Sequence, residues 1–177
     1  MNNLKTNPIG IDKPIQRAQV LLYDQLTALW GISLDGYGRV YKNEGKNGEV
    51  HPEVYVSGKD YSGTLFTVEG AKFFFETSDK SVHTHDTYFN SDISVYFIIN
   101  IDDIKNVAHR ADEEIRQDVF SVLHNSPFRE IKSIEVGIKN VASSFTNIDE
   151  GKAKWFDKHP YHVFKIVSEV EYYFNSN

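Results

Sequence analysis

The stretch Asp92–Asp102 (DISVYFIINID) constrains the fold more than any other part of the chain. One parity is wholly apolar: Ile93, Val95, Phe97, Ile99 and Ile101. The other carries Ser94, Tyr96, Ile98 and Asn100. Side chains alternate across a strand, so one face of this strand must be core and the other at least partly covered. A strand apolar on both sides needs layers packed against it. Helices from the same chain are the obvious source.

The rest of the pattern supplies them. Ile15, Ala18, Leu22, Leu26 and Leu29 fall at helical spacing, widened by Val20, Leu21 and Trp30. The spacing predicts a helix capped by Asp12, starting at Lys13 with Pro14 in its first turn, and ended by Gly31. A second amphipathic helix is expected over His109–Asn125, with Ala108, Ala111, Ile115, Val119 and Val122 on one stripe. Asp112, Glu113 and Glu114 lie in its early turns, where the macrodipole favours them, and Pro127 stops it. Ile131–Ile138 and Tyr161–Phe174 read as strands. In the last, Phe164, Ile166, Val170, Tyr172 and Phe174 share a parity. Short strands are also expected at Arg39–Tyr41 and Glu53–Val56, and a pair, Thr64–Val68 and Lys72–Glu76, joined at Glu69-Gly70.

Met1–Gly10 reads as a flexible arm and Gly36–Pro52 as an exposed loop. Ser78–Ser91 reads as a loop or the tip of a long hairpin, and Ser143–His159 as a long loop. The expected fold is a single α+β domain over residues 1–177. A mixed or antiparallel sheet packs on the N-terminal helix and the second helix, with a long projecting hairpin. At 177 residues and 40% hydrophobic, the chain is long enough to bury one real core.

Composition excludes several function classes. There is no Cys, so disulfides, thiolate metal sites and cysteine nucleophiles are absent. No apolar run reaches the length of a membrane span, so no membrane partner is expected. A net charge of −6 argues against a protein that reads DNA sequence, which needs a basic face. It is compatible with a wall that lets DNA pass without sticking.

The candidate chemistry is thin. In His83-Thr84-His85-Asp86 two imidazoles at i and i+2 on an extended segment point the same way, as two ligands of one ion would. His83, His85 and Asp86 are therefore the metal candidates, and a small metal-binding module or metal-dependent enzyme is the alternative reading. The spacing stops short of known metallohydrolase patterns, and the plainer reading is a polar loop with incidental histidines. The glycines of Gly36-Tyr37-Gly38 and Gly45–Gly48 match no Walker or dinucleotide motif. Nothing assembles a nucleophile with a base. No catalytic residue and no cofactor are expected. Trp155 and Phe156, on a loop with Lys152, Lys154 and Lys158, are either folded onto the core or offered to a partner. With Tyr37, Arg39, Tyr61, Tyr88 and Phe89 they form the expected interaction surface.

The order of N-terminal helix, β-hairpins, long strand, helix and two closing strands resembles the tail-terminator, tail-completion and head–tail connector proteins of tailed bacteriophages. It is most similar to the neck proteins of phages infecting Bacteroidetes. The stretches that carry the resemblance are Ile11–Trp30, His51–Val56, Ser91–Ile101, His109–Leu123, Ile134–Gly137 and Pro160–Ile166. The resemblance implies a non-enzymatic structural protein of the virion neck or tail. It would form a homo-oligomeric ring around the DNA exit channel, touching portal, connector or tail-tube proteins, and passing double-stranded DNA without sequence-specific binding. The working surfaces would then be the N-terminal arm and the loops Gly36–Pro52, Ser78–Ser91 and Ser143–His159.

Overall fold

The computed structural model describes residues 1–56, 59–61, 65–67, 70–105, 107, 109–146 and 155–174, with the side chains of 56 and 59–61 excepted. The strands are β1 (Asn2–Asn3), β2 (Leu34–Arg39), β3 (Tyr41–Glu44), β4 (Val50–Val56), β5 (Lys59–Tyr61), β6 (Ala71–His85), β7 (Tyr88–Asn100), β8 (Glu130–Val136) and β9 (Tyr161–Tyr173). The helices are α1 (Asp12–Trp30), α2 (Ile101–Ile104), α3 (Asp112–His124) and α4 (Ile138–Val141). The protein is α+β with a mixed main sheet.

β7 sits inside that sheet, whose six strands run in the order β1-β2-β6-β7-β9-β8. The two pairings at the β1 end are parallel and the other three antiparallel. The reading of Asp92–Asp102 holds on both faces. On one, Phe73, Phe75, Val95, Phe97, Phe164 and Ile166 pack under Ile15, Leu22 and Leu26 of α1 and Ile115, Val119 and Leu123 of α3. On the other, Phe74, Tyr96, Ile98 and Val163 are covered by Val54, Leu65, Val141, Phe145 and Phe156. The strand ends at Asn100, two residues before the stretch does, and the chain turns into α2 at Ile101, with the Asn100 side chain accepting from the Asp102 N–H.

α1 ends at Gly31, whose N–H makes the last i→i−4 bond, to Thr27 O, and whose positive φ of 67° then turns the chain out of the helix. Its start differs from expectation. Asp12 lies in the first turn and does not cap, because its carboxylate is taken by Lys5 and Arg39. The buried stripe runs Ile15, Ala18, Leu22, Leu26, Trp30, leaving Leu29 exposed. α3 covers less than the expected His109–Asn125, and Ala108 lies outside the described residues.

The N-terminal stretch is not a free arm. Asn2–Asn3 pairs parallel with Gly36–Tyr37, and the buried Gln19 of α1 donates to Asn2 Oδ1 and to the carbonyls of Asn3 and Gly36. A Cβ on Gly36 would come within 2.8 Å of the Phe73 ring, so glycine is what allows the close approach. Gly36–Pro52 is likewise a set of strands and not a loop: β3 and β4 form a hairpin that, with β5, makes a second, three-stranded sheet. The partner of Lys72–Glu76 is not Thr64–Val68. The described part of that stretch, residues 65–67, is not in a strand, and Lys72–Glu76 pairs with β7 from Ser94 to Ile98. β8 stops at Val136, and Ile138 begins the short helix α4.

The long hairpin is β6–β7. Its register runs from Lys72↔Ile98 to His85↔Tyr88, so Ser78–Ser91 is strand, turn and strand. β6 is buried through Glu76 and exposed from Ser78 to His85. β7 also pairs with β9 along its whole length, Tyr88↔Tyr173 to Asn100↔Tyr161. The extension beyond the core is therefore three-stranded.

Candidate interaction surface

Two aromatic sets flank the tip of this extension. His83 meets Phe89 edge-on at 5.2 Å between centroids, and Phe89 in turn stacks on Tyr172 and abuts Phe174. His85 stacks on Tyr88 at 4.8 Å, and Tyr88 leans on Tyr173. Tyr88 and Phe89 are consecutive strand residues, so they point to opposite faces. His83 and His85, paired with Phe89 and Tyr88 across the hairpin, do the same. The cause is a β-bulge between His83 and His85, which shifts the register by one and rotates His85 to the other face. The i, i+2 argument for a shared ion assumes an unbroken pleat, and here the pleat is broken. His83 Nε2 lies 2.8 Å from the carbonyl oxygen of Asp86, whose φ is 48° in the turn. Among the described residues no three His, Asp or Glu side chains gather as a metal site.

Trp155 and Phe156 part company. Phe156 is 1% exposed, inside the second core beside Phe66, whereas Trp155 is 56% exposed with the Lys158 ammonium 5.3 Å over its ring. Phe156 is thus core and not interaction surface, and Trp155 is a surface aromatic. Lys152 and Lys154 lie outside the described residues.

Tyr37 is half-buried against the second core. Arg39 is held by Asp12 and covers the Tyr41 ring at 4.9 Å. Burial works against the Arg39 charge, but the Asp12 carboxylate outweighs it and raises the pKa. Tyr61 lies in β5, opposite Val54, and its side chain is outside the described residues.

Several polar groups emerge only in three dimensions. Glu76, buried, accepts from the Tyr96 hydroxyl and pairs with Lys42 at 2.8 Å. Burial and the Glu76 charge push the Tyr96 pKa far up, so the phenol stays a donor. His162, 3% exposed, has Nδ1 3.6 Å from Asp112, and its Nε2 has no hydrogen-bond partner among the described residues. Burial lowers its pKa to about 4, with Asp112 opposing that shift. These groups come from strands and helices far apart in sequence, and no local motif marks them. The edge strand β8 adds Ile134 and Val136, 41% and 39% exposed on the helix-bearing face. Their alternation was visible in the sequence, but not their exposure. A shallow groove of about 240 Å³ between the N-terminal stretch and β3–β4 includes Leu4, Lys5, Arg39, Tyr41 and Tyr55 in its lining.

No described helix is long and apolar enough to cross a membrane. No protein-family model, no curated protein and no solved structure matches this chain.

Proposed function

We propose that this protein is a structural subunit of the head–tail junction of a tailed bacteriophage, a connector or tail-terminator protein that forms a ring of like copies around the DNA path. The reading assigns it no catalytic step. The observation that supports it best is the three-stranded extension of β6, β7 and β9, with the aromatic residues Tyr88, Phe89, Tyr173 and Phe174 at its end. An extension ending in large aromatic rings suits contact with another protein ring, since aromatic side chains dominate interface energetics. An acidic chain also suits a channel through which DNA slides. The partners would be further copies and the neighbouring portal, connector or tail-tube proteins, in the virion neck or tail.

The test is to purify the virions whose genome encodes this chain, digest them and look for its peptides. Their presence in tailed particles, and their loss with tails in a Tyr88→Asp/Phe89→Asp double variant whose monomer still folds by circular dichroism, is the expected result. Absence of the protein from intact, infectious particles overturns the reading.

A further inference from the structure

The two outer strands of the main sheet are β1 and β8, and neither has a neighbour on its outer side among the described residues. An unpaired edge strand is a template for another chain, and proteins guard against accidental pairing with bulges and lysines. β8 carries both guards at one end: a bulge between Ile131 and Ser133, and Lys132, turned to Asp92 and Glu169 on the face away from the helices. What remains regular is the short run Ser133–Val136. β1 is shorter still. Neither edge suits a strand at large, but each suits the other.

The strand directions make that match antiparallel. β8 opposes β9, β9 opposes β7 and β7 opposes β6, whereas β6, β2 and β1 run together. β8 and β1 therefore point opposite ways, and a second copy in the same orientation brings its β1 to β8 antiparallel, the stronger pairing. The faces also agree. Asn2, bonded to Gln19 of α1, and Ile134, opposite Ile166 of the helix-covered core, are both on the helix side. Asn3 and Ser133 both belong to the other side. Charge agrees at one point: Glu130 of β8 has no ion pair among the described residues, whereas Lys132 and Glu135 are already paired, and Lys5 follows β1 and shares the single carboxylate of Asp12 with Arg39.

Resting on the ring reading above, we propose that neighbouring copies join side by side through β8 of one copy and β1 of the next, with Asn2 opposite Ile134 and Asn3 opposite Ser133. The contact is head-to-tail, so it closes into a ring where the rotation between copies permits. The exposed Ile134 then lies beside Asn2 of the next copy at each junction.

Cysteine cross-linking tests this directly, because the chain has no cysteine of its own. Asn3 and Ser133 stand at opposite edges of the sheet, about 24 Å apart at about 4.8 Å per strand, too far for a disulfide within one molecule. Under mild oxidation the Asn3→Cys/Ser133→Cys variant is expected to give a ladder of covalent oligomers. Each single variant alone should stay monomeric, and an equimolar mixture of the two singles should stop at the dimer. Circular dichroism identical to the parent chain establishes that the variants fold. A dimer from Ser133→Cys alone means two-fold pairing of β8 with β8 and overturns the proposal. So does a folded double variant that yields no cross-link at millimolar concentration. If cross-links fail but the protein is present in purified particles, the ring reading stands and only this junction falls. A ladder together with absence from particles leaves the junction and removes the neck assignment.

Discussion

Arg39 closes on Asp12 through two bonds, Nε to Oδ1 at 2.8 Å and Nη2 to Oδ2 at 3.3 Å, and so ties the end of β2 to the first turn of α1. Asp12 is 6% exposed, and Lys5 also reaches its carboxylate. Removing one member of a buried charge group leaves the others unpaired, which costs more than an exposed pair would return. Asp12→Ala is expected to cost about 2 kcal/mol, below the full buried-pair figure because Lys5 and Arg39 retain contact with solvent. Urea unfolding would measure it. A loss within about 0.5 kcal/mol, the range of ordinary surface substitutions, would remove the structural role assigned here.

The neighbours Trp155 and Phe156 should separate cleanly on mutation. Phe156→Ala empties a place among Phe66, Val163 and their neighbours, with an expected cost of about 3–5 kcal/mol. Trp155→Ala gives up a largely solvated ring and one surface cation–π contact, for about 0.5–1 kcal/mol. Thermal melts of the two variants side by side check the contrast, and equal losses would contradict the placement of the two rings.

His162 makes stability depend on pH. Its folded-state pKa is about 4, below the ordinary value of 6.5 that applies once the chain unfolds. Between those values the unfolded state binds the proton and the folded state does not. Stability is therefore greatest above about pH 6.5, falls as the pH drops toward 4 and levels off below it. At 1.36 kcal/mol per unit the whole effect is about 3 kcal/mol. Urea midpoints from pH 7 to pH 4 measure the slope, and His162→Gln should flatten this part of it. An unchanged slope would mean that His162 is protonated in the folded protein.

Zinc provides a fourth check. With His83 against Phe89 and His85 against Tyr88, on opposite faces of the hairpin, calorimetric titration should show no micromolar binding event. Micromolar binding that disappears in His83→Ala would restore the metal site.

Local residue patterns were enough to establish the layers. The double apolar parity of Asp92–Asp102 required a strand covered on both sides, and the stripes on α1 and α3 supplied the cover on one side. Periodicity reports such burial because each residue's environment repeats with the local geometry. Gly31 was legible as a helix end for the same local reason. The remaining features depend on partners distant in the chain and became visible only once the fold brought those partners together. Asp12 looked like a cap until Arg39 and Lys5 took its carboxylate. Asn2–Asn3 looked like free chain until β2 offered its edge. His83 and His85 looked like a ligand pair until a bulge, set by pairing with β7, turned them apart. Adjacent aromatics at 155 and 156 read alike in sequence, and only the position of the second core assigned one to the interior and the other to solvent. Local spacing fixes which residues share a face, whereas long-range pairing fixes what that face meets.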